Sequence, residues 1–152
     1  MKKIIDYLLP VLERAEEGSE FKIISYRFGH NLWDEKSEFY KKITELLENE
    51  TADFILLGGM PLKEPYIANL ENLYKRGAKI SILKKPPTQH HFIYNSPKYN
   101  DFIYVEEKHK SDAAKGRFFN YNPDNFNIII ANDKFDKLWE KGRPYEMVRI
   151  QE

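Results

Sequence analysis

The stretch "DFILLGGMPLKEPYIANLENLYKRGAKISILKK", residues 53–85, decides the fold because a helix separates two apolar strands in it. Its first part, "DFILLGG", is a nearly continuous apolar run, which is typical of a strand covered on both faces. Pro65 suits the first turn of a helix, and Gly77 suits a left-handed cap at its end. "AKISILKK" then favours the next strand. A strand, a helix and a strand with short links predict a crossover unit of a parallel sheet.

The residues before this stretch show the same alternation of strand and helix. "EFKIISYRF" (20–28) is short and rich in β-branched and aromatic residues, so we expect a strand that Gly29 closes. An apolar stripe on one helical face follows, made of Phe39, Ile43, Leu46 and Leu47. This stripe predicts a helix over 37–49 with Ser37 as its N-cap. Apolar residues at helical spacing also predict a helix near the start of the chain.

Beyond residue 85 the pattern predicts a hairpin, because "HHFIYN" and "DFIYVEE" flank the turn-forming "SPKY". If the turn centres near Lys98, His90 lies across from Glu106, and His91 points to the other face of the sheet. Residues 122–142 fit either a strand, from the run of three isoleucines, or a helix, from a longer apolar spacing. We favour a helix over at least the second half of that segment, ending before Gly142.

These elements predict one α/β domain covering residues 1–152. Its mixed, mainly parallel sheet is expected to be flanked by helices on both faces. The predicted strands lie near 20–28, 53–58, 78–83, 89–95 and 101–107. No repeat, low-complexity stretch or linker argues for a second domain.

Composition narrows the classes of function. The 24 basic and 24 acidic side chains balance, so any site for a polyanion has to be a local patch. The chain has no cysteine, which excludes disulfides and thiolate chemistry and suits a reducing cytoplasm. Asp6 and Pro10 interrupt the first apolar run, so we interpret it as part of the fold and not as a signal peptide. No apolar segment approaches membrane-spanning length, and we expect a cytoplasmic protein without a membrane span.

The order of elements, together with "LYKRGAKISIL" (73–83), "HHFIY" (90–94) and "FDKLWEKG" (135–142), resembles one half of a phospholipase D-like domain. The resemblance covers the chain from about residue 20 to 142. The resemblance implies that, in active members of that superfamily, a His-x-Lys motif supplies a nucleophilic histidine and a lysine that neutralises the phosphate. Two such motifs have to meet, from a duplicated chain or from a homodimer.

The chain departs from this motif at the lysine. His90 fits the position of the nucleophile, but Phe92 stands two residues further on, and alignment on His91 puts Ile93 there. Loss of one preorganised donor to the developing charge commonly lowers the rate by about 100- to 1000-fold, and loss of a cation by at least as much. The family's Gly-Ser-x-x-x-x-Asn continuation is not visible in the sequence, and Ser111 and Asn120 are candidate remnants of it. The resemblance therefore implies a degenerate module.

We expect this module to bind or regulate, recognising a phosphate-bearing ligand, a nucleic acid or a protein partner. The predicted ligand-binding residues are His90, Glu106, His109 and Lys110. The alternative is a homodimeric phosphodiesterase or nuclease with His90 as its nucleophile and Lys108, Lys110 or Lys115 replacing the missing cation. A domain that binds only proteins is a third class, which would show a large exposed apolar patch.

Several features also have purely structural interpretations. A hydrogen bond between His90 and Glu106 can simply fix the register of a hairpin. Basic and aromatic residues alternate between Lys84 and Arg117, which suits either a nucleic acid or a solvated rim. Trp33 and His30 can line the mouth of a site, or Trp33 can close one end of the core. Glu106 and His109 lie three apart on a strand, on opposite faces, so no metal or cofactor is predicted.

Overall fold

The protein is described by a computed structural model, which covers residues 4–29, 31–87, 90–97, 102–106, 117–120 and 126–149. The helices are α1 (Ile4–Glu13), α2 (Glu38–Glu48), α3 (Glu64–Lys75), α4 (Phe126–Lys141) and α5 (Tyr145–Arg149). The strands are β1 (Ser19–Ser25), β2 (Ala52–Gly58), β3 (Lys79–Ile82), β4 (His90–Asn95), β5 (Phe102–Glu106), β6 (Arg117–Asn120) and β7 (Arg143–Pro144). The α/β class is therefore confirmed.

These strands form one mixed sheet in the order β6-β5-β4-β1-β2-β3-β7. The prediction that it is mainly parallel was wrong, because only β1 with β2 and β2 with β3 are parallel, and the other four described pairings are antiparallel. Parallel neighbours need a long crossover connection. Beyond β3, the chain places β4 antiparallel to β1, and β5 and β6 then add as antiparallel neighbours in sequence order. The short edge strand β7 follows α4 and pairs antiparallel with β3.

The local signals for α2 and α3 act as predicted. The Ser37 hydroxyl accepts a hydrogen bond from the Tyr40 backbone N–H at 3.0 Å, which satisfies one of the free donors of the first turn of α2. Pro65 lies in the first turn of α3, and Gly77 follows the helix with a φ of +105°. Only a residue without a Cβ adopts that conformation easily, so the chain can turn directly into β3.

Two apolar clusters pack against the sheet. The first contains side chains of α1, α2 and α3 together with Phe21, Ile23, Phe92 and other strand residues. The second contains Ile24, Leu57, Leu83 and Ile93, with Ala131 and Phe135 of α4 packed on them. Neighbouring residues of one strand, such as Ile23 and Ile24, belong to different clusters because side chains alternate along a strand. Leu138 and Trp139 are partly buried against the second cluster, so the helix predicted for the C-terminal segment is confirmed and packs on the sheet.

Strand β1 ends at Ser25, three residues earlier than predicted. The Phe28 backbone N–H donates to the Ser25 hydroxyl at 3.2 Å, and Phe28 itself has a φ of 50°. This left-handed turn buries the Phe28 ring, whose centroid lies 4.9 Å from that of Trp33 in an edge-on contact. The buried contact stabilises Phe28 in a left-handed backbone conformation, which bulky residues rarely adopt.

Gly58, at the end of β2, makes a close approach that can be tested. A Cβ atom there would lie 2.2 Å from the Ser25 carbonyl oxygen and 2.9 Å from Cε2 of Phe28. We therefore expect Gly58→Ala to lower the free energy of unfolding by about 2 kcal/mol or more, measured by urea denaturation. Gly29→Ala is the control, because its nearest contact would be an ordinary 3.5 Å. Equal denaturation midpoints for the two variants would contradict the close approach.

Candidate functional site

The candidate site lies at the edge of the sheet where β1, β2 and β3 end, which we call the carboxyl edge. Because β4 runs antiparallel to β1, it begins at this edge with His90. Strand β5 runs back and ends there with Glu106. In open α/β sheets the carboxyl ends of parallel strands are where ligands usually bind. The fold therefore brings two of the predicted site residues to a position suited to binding.

The predicted register of the hairpin is confirmed. His90 is the Cα partner of Glu106, and His91 is the partner of Val105. Adjacent residues of a strand point to opposite faces, so only one of the two histidines shares a face with Glu106. The position of the Glu106 carboxylate lies outside what the structure describes, and its hydrogen bond to His90 stays a prediction.

Ser25 lies at the carboxyl edge together with His90 and Glu106, although nothing in its sequence context indicated this position. Ile24 pairs with His91, so the antiparallel register of β1 and β4 carries on to bring Ser25 beside His90. Ser25 and His90 line one cavity, which confirms that they are close. Since this proximity depends on the pairing of two strands far apart in sequence, only a signal for that pairing could have revealed it.

The cavity between these residues is small and largely apolar. It has a volume of about 30 Å³, which is room for one or two water molecules. Its walls include Leu8, Trp33 and Phe39. Trp33 is buried, and its carbonyl oxygen accepts a hydrogen bond from the Asn69 side chain at 2.9 Å. Trp33 thus closes this end of the core, and the cavity as it stands does not admit a phosphate group.

His90 itself is 8% exposed, so it presents at most one edge of its ring to solvent. It is buried beside Ser25 and apolar walls rather than standing in an open cleft. This arrangement suits a histidine that orders a water or a neighbouring side chain. Direct attack on a bulky phosphodiester would require the cavity to open.

The two positions that could carry the family's lysine are part of the core. Phe92 is 2% exposed, and its ring lies 5.5 Å from Phe21 and 6.2 Å from Phe39, measured between centroids. Ile93 is fully buried in the second cluster. A lysine at either position would need a paired charge in an apolar interior. Neither position can supply a cation to a ligand.

His91 is on the opposite face from His90 and is 4% exposed. Burial, with a smaller contribution from the positive charge of Lys134, lowers the pKa of His91 from 6.5 to about 4. The ring is therefore neutral at pH 7. A buried neutral imidazole on the face of the second cluster does not serve as an anion site.

The remaining predicted residues lie outside the described part of the chain. These are His109 and Lys110, and the same holds for His30. Within the described residues, no group of three or more His, Asp or Glu side chains is arranged to hold a metal ion.

A wider groove, of about 580 Å³, lies between α3 and α5 and was not predicted. Its charges compensate one another. Glu71 accepts hydrogen bonds from Arg149 Nε at 2.9 Å and from the Tyr145 hydroxyl at 2.8 Å, and Lys75 lies within ion-pair distance. The hydrogen bond from Arg149 holds the pKa of Glu71 below its ordinary value. We interpret this cluster as the contact that fastens α5 to α3.

The sequence matches no family model and no curated protein. The resemblance to phospholipase D-like domains therefore stays a prediction carried by the residues quoted for it. In the described part of the chain, no helix is both long and apolar enough to cross a membrane.

Burial of neutral His91 predicts a dependence of stability on pH. In the unfolded chain His91 takes up a proton near its ordinary pKa of 6.5, whereas in the folded protein it does so only near 4. Its contribution to stability is therefore complete above pH 6.5 and is lost as the pH falls toward 4. The full loss is about 3 kcal/mol.

We expect His91→Phe to remove most of this dependence. The measurement is the free energy of unfolding from urea titrations of both proteins at several pH values between 7 and 4.5. Other titrating groups are common to both proteins and cancel in the comparison. Parallel curves for wild type and variant would show that His91 is not the buried neutral group.

Proposed function

We propose that this protein is a degenerate phospholipase D-like half-domain that binds a phosphate-bearing ligand at its carboxyl edge without hydrolysing it. Phe92 carries the first part of the proposal, because the position of the family's phosphate-neutralising lysine holds a buried aromatic ring. A phosphodiesterase that lacks this cation loses its main means of stabilising the charge of the transition state.

The architecture supports the relation to the family. The segment "FDKLWEKG" forms the end of α4, and Phe135 packs in the second cluster, with its ring 6.0 Å from that of Trp139. Helix α4 thus packs on one side of the sheet, whereas α1, α2 and α3 contribute to the first cluster. A strand that bears the histidine motif and a closing helix with a Phe-x-x-Leu-Trp type ending are what the resemblance implies.

Binding at the carboxyl edge is supported by the position of His90 and by the exposed loops around it. Lys84 and Lys85 lie just after β3, past the buried Leu83, and are exposed, and they precede β4 by only a few residues. An anionic group can reach these side chains without entering the cavity. His90 and Ser25 then shape the floor beneath the ligand, with or without a bridging water.

The absence of hydrolysis is a testable part of the proposal. We expect no release of nitrophenol from bis(4-nitrophenyl) phosphate above the rate of the buffer blank. Activity that disappears in His90→Ala but persists in His91→Ala would overturn the proposal. That result would establish the alternative, a phosphodiesterase or nuclease, and the oligomeric state of the active species would show whether it acts as a homodimer.

Binding is tested separately by nuclear magnetic resonance of the ¹⁵N-labelled protein with inorganic phosphate. We expect the amide signals of Lys84 and Lys85 and the ring signals of His90 to shift. The amides of Glu16 and Glu17, at the other edge of the sheet, serve as internal controls. Shifts confined to those controls, or no shifts, would contradict a phosphate site at the carboxyl edge.

A further inference from the structure

Cationic side chains are concentrated on the loops of the carboxyl edge. Lys63 ends the loop after β2, and Lys84 and Lys85 follow β3; all three are exposed. Arg27 lies in the turn after β1 and is half-buried, and Arg143 of β7 is exposed and pairs with Ile82 at the end of β3. These five residues, which we call the basic edge, follow or border three neighbouring strands and the edge strand β7.

The loops that carry the basic edge hold one another in place. The Gly59 backbone N–H donates to the Tyr26 carbonyl at 2.9 Å, and Arg27 donates to the Met60 carbonyl at 3.1 Å. A Cβ atom on Gly59 would lie 2.8 Å from Cγ of Pro86, in the loop after β3. Because the three loops touch, the backbone positions that carry these cations are held near one another.

The opposite edge of the sheet carries charges of both signs. Glu16 and Glu17 precede β1 and Glu50 precedes β2, whereas Lys75 and Lys79 lie at the end of α3 and the start of β3. The chain as a whole has no net charge, so the basic edge is a local concentration of cations and not part of an overall excess of one sign.

Asp34 and Glu35, on the loop after β1, and Glu64, beside Lys63, are acidic, so the positive charge is most concentrated around Lys84 and Lys85. Exposed cations of this kind attract anions to this part of the carboxyl edge.

The spread of the basic edge indicates a polyanion rather than a single phosphate. Strands lie about 4.8 Å apart, so the distance from β1 to β7, across three spacings, is about 14 Å. This is longer than one phosphate group and is on the scale of several phosphates of a nucleic acid strand. Arg27 lies over the ring of Tyr26, 5.5 Å from its centroid, which presents a cation and an aromatic ring together.

We infer that the basic edge binds single-stranded nucleic acid, an inference that rests on the proposed function and names its ligand. The cations neutralise the phosphates, and the paired Tyr26 and Arg27 offer a surface on which a base can stack. An anionic membrane fits less well, since Leu62, at 75% exposed, is the one large exposed hydrophobic side chain described on these loops. Membrane binding usually needs a larger apolar area together with the charge.

The test is the binding of a fluorescently labelled oligodeoxythymidylate, followed by anisotropy over a range of salt concentrations. We expect binding that weakens steeply as salt rises. In the double variant Lys84→Glu, Lys85→Glu, affinity should fall by about 10-fold or more, and the slope of log affinity against log salt should fall by about two.

The matched control is Lys75→Glu, Lys79→Glu, which changes the net charge equally. Both control lysines are exposed, at the end of α3 and the start of β3, near the opposite edge. The control should bind the oligonucleotide as the wild type does. An equal loss in both double variants would overturn the inference, because it would show only a response to net charge.

Two further outcomes would overturn it. One is no binding of the oligonucleotide by the wild type at low salt. The other is binding to phosphatidylserine vesicles that Lys84→Glu, Lys85→Glu removes while the oligonucleotide does not bind. Shifts with inorganic phosphate at the carboxyl edge, without oligonucleotide binding, would leave the proposed function intact and eliminate nucleic acid as its ligand.

Discussion

The stacking of the Phe21 ring between neighbouring strands holds the two halves of the sheet in register. The Phe21 centroid lies 4.9 Å from that of Phe54 on β2 and 4.7 Å from that of Tyr94 on β4, both in stacked geometry. Phe21 is the Cα partner of each of these residues. The Tyr94 hydroxyl also lies 3.1 Å from the Ser19 hydroxyl, so the same row is anchored at the start of β1. A slip of one residue would turn the rings to the wrong face of the sheet.

This register determines what meets at the carboxyl edge. Four residues along β1 from Phe21, Ser25 is beside Gly58 on one side and near the start of β4 on the other. Any residue other than glycine at position 58 would force its neighbours to rearrange, because the Ser25 carbonyl and the Phe28 ring occupy the space that a Cβ atom would need. The aromatic row in the middle of the sheet thus positions His90, Ser25 and the first turn of the loop after β1.

The sequence predicted the elements whose signals are local. The N-cap at Ser37, the Pro65 and Gly77 signals of α3, and the apolar periodicities of α2 and α4 are local to each element, and each predicts the right structure. The hairpin register came from one turn, and so the pairing of His90 with Glu106 was also predictable. The short β7 and α5 carry no comparable periodicity and are stabilised by contacts with β3 and α3, such as that between Tyr145 and Glu71.

Features that depend on distant segments could not be predicted in this way. β1 was expected to continue to residue 28, but the burial of Phe28 against Trp33 ends it at Ser25. The closeness of Ser25 to His90 requires the pairing of β1 with β4, and the basic edge requires three loops to meet. The predicted site was confined to the hairpin and its continuation, since nothing local linked Arg27 or Lys63 to that stretch.

The buried position of Phe92 and the exposed position of the basic edge have a common physical explanation, which is the cost of burying a charge. A lysine that serves a phosphate inside the sheet has to be desolvated, and it is tolerated only while a ligand or a carboxylate compensates it. In the proposed relation to phospholipase D-like domains, Phe92 occupies the position of such a lysine. The buried Phe92 ring contributes aromatic packing, and the exposed cations lie on loops that water reaches. A loop lysine needs no compensation when the ligand is absent, so the cations can be exchanged without disturbing the core. Recognition of a polyanion by such loops would use many weak, salt-dependent contacts, which is why we propose reversible binding rather than bond cleavage.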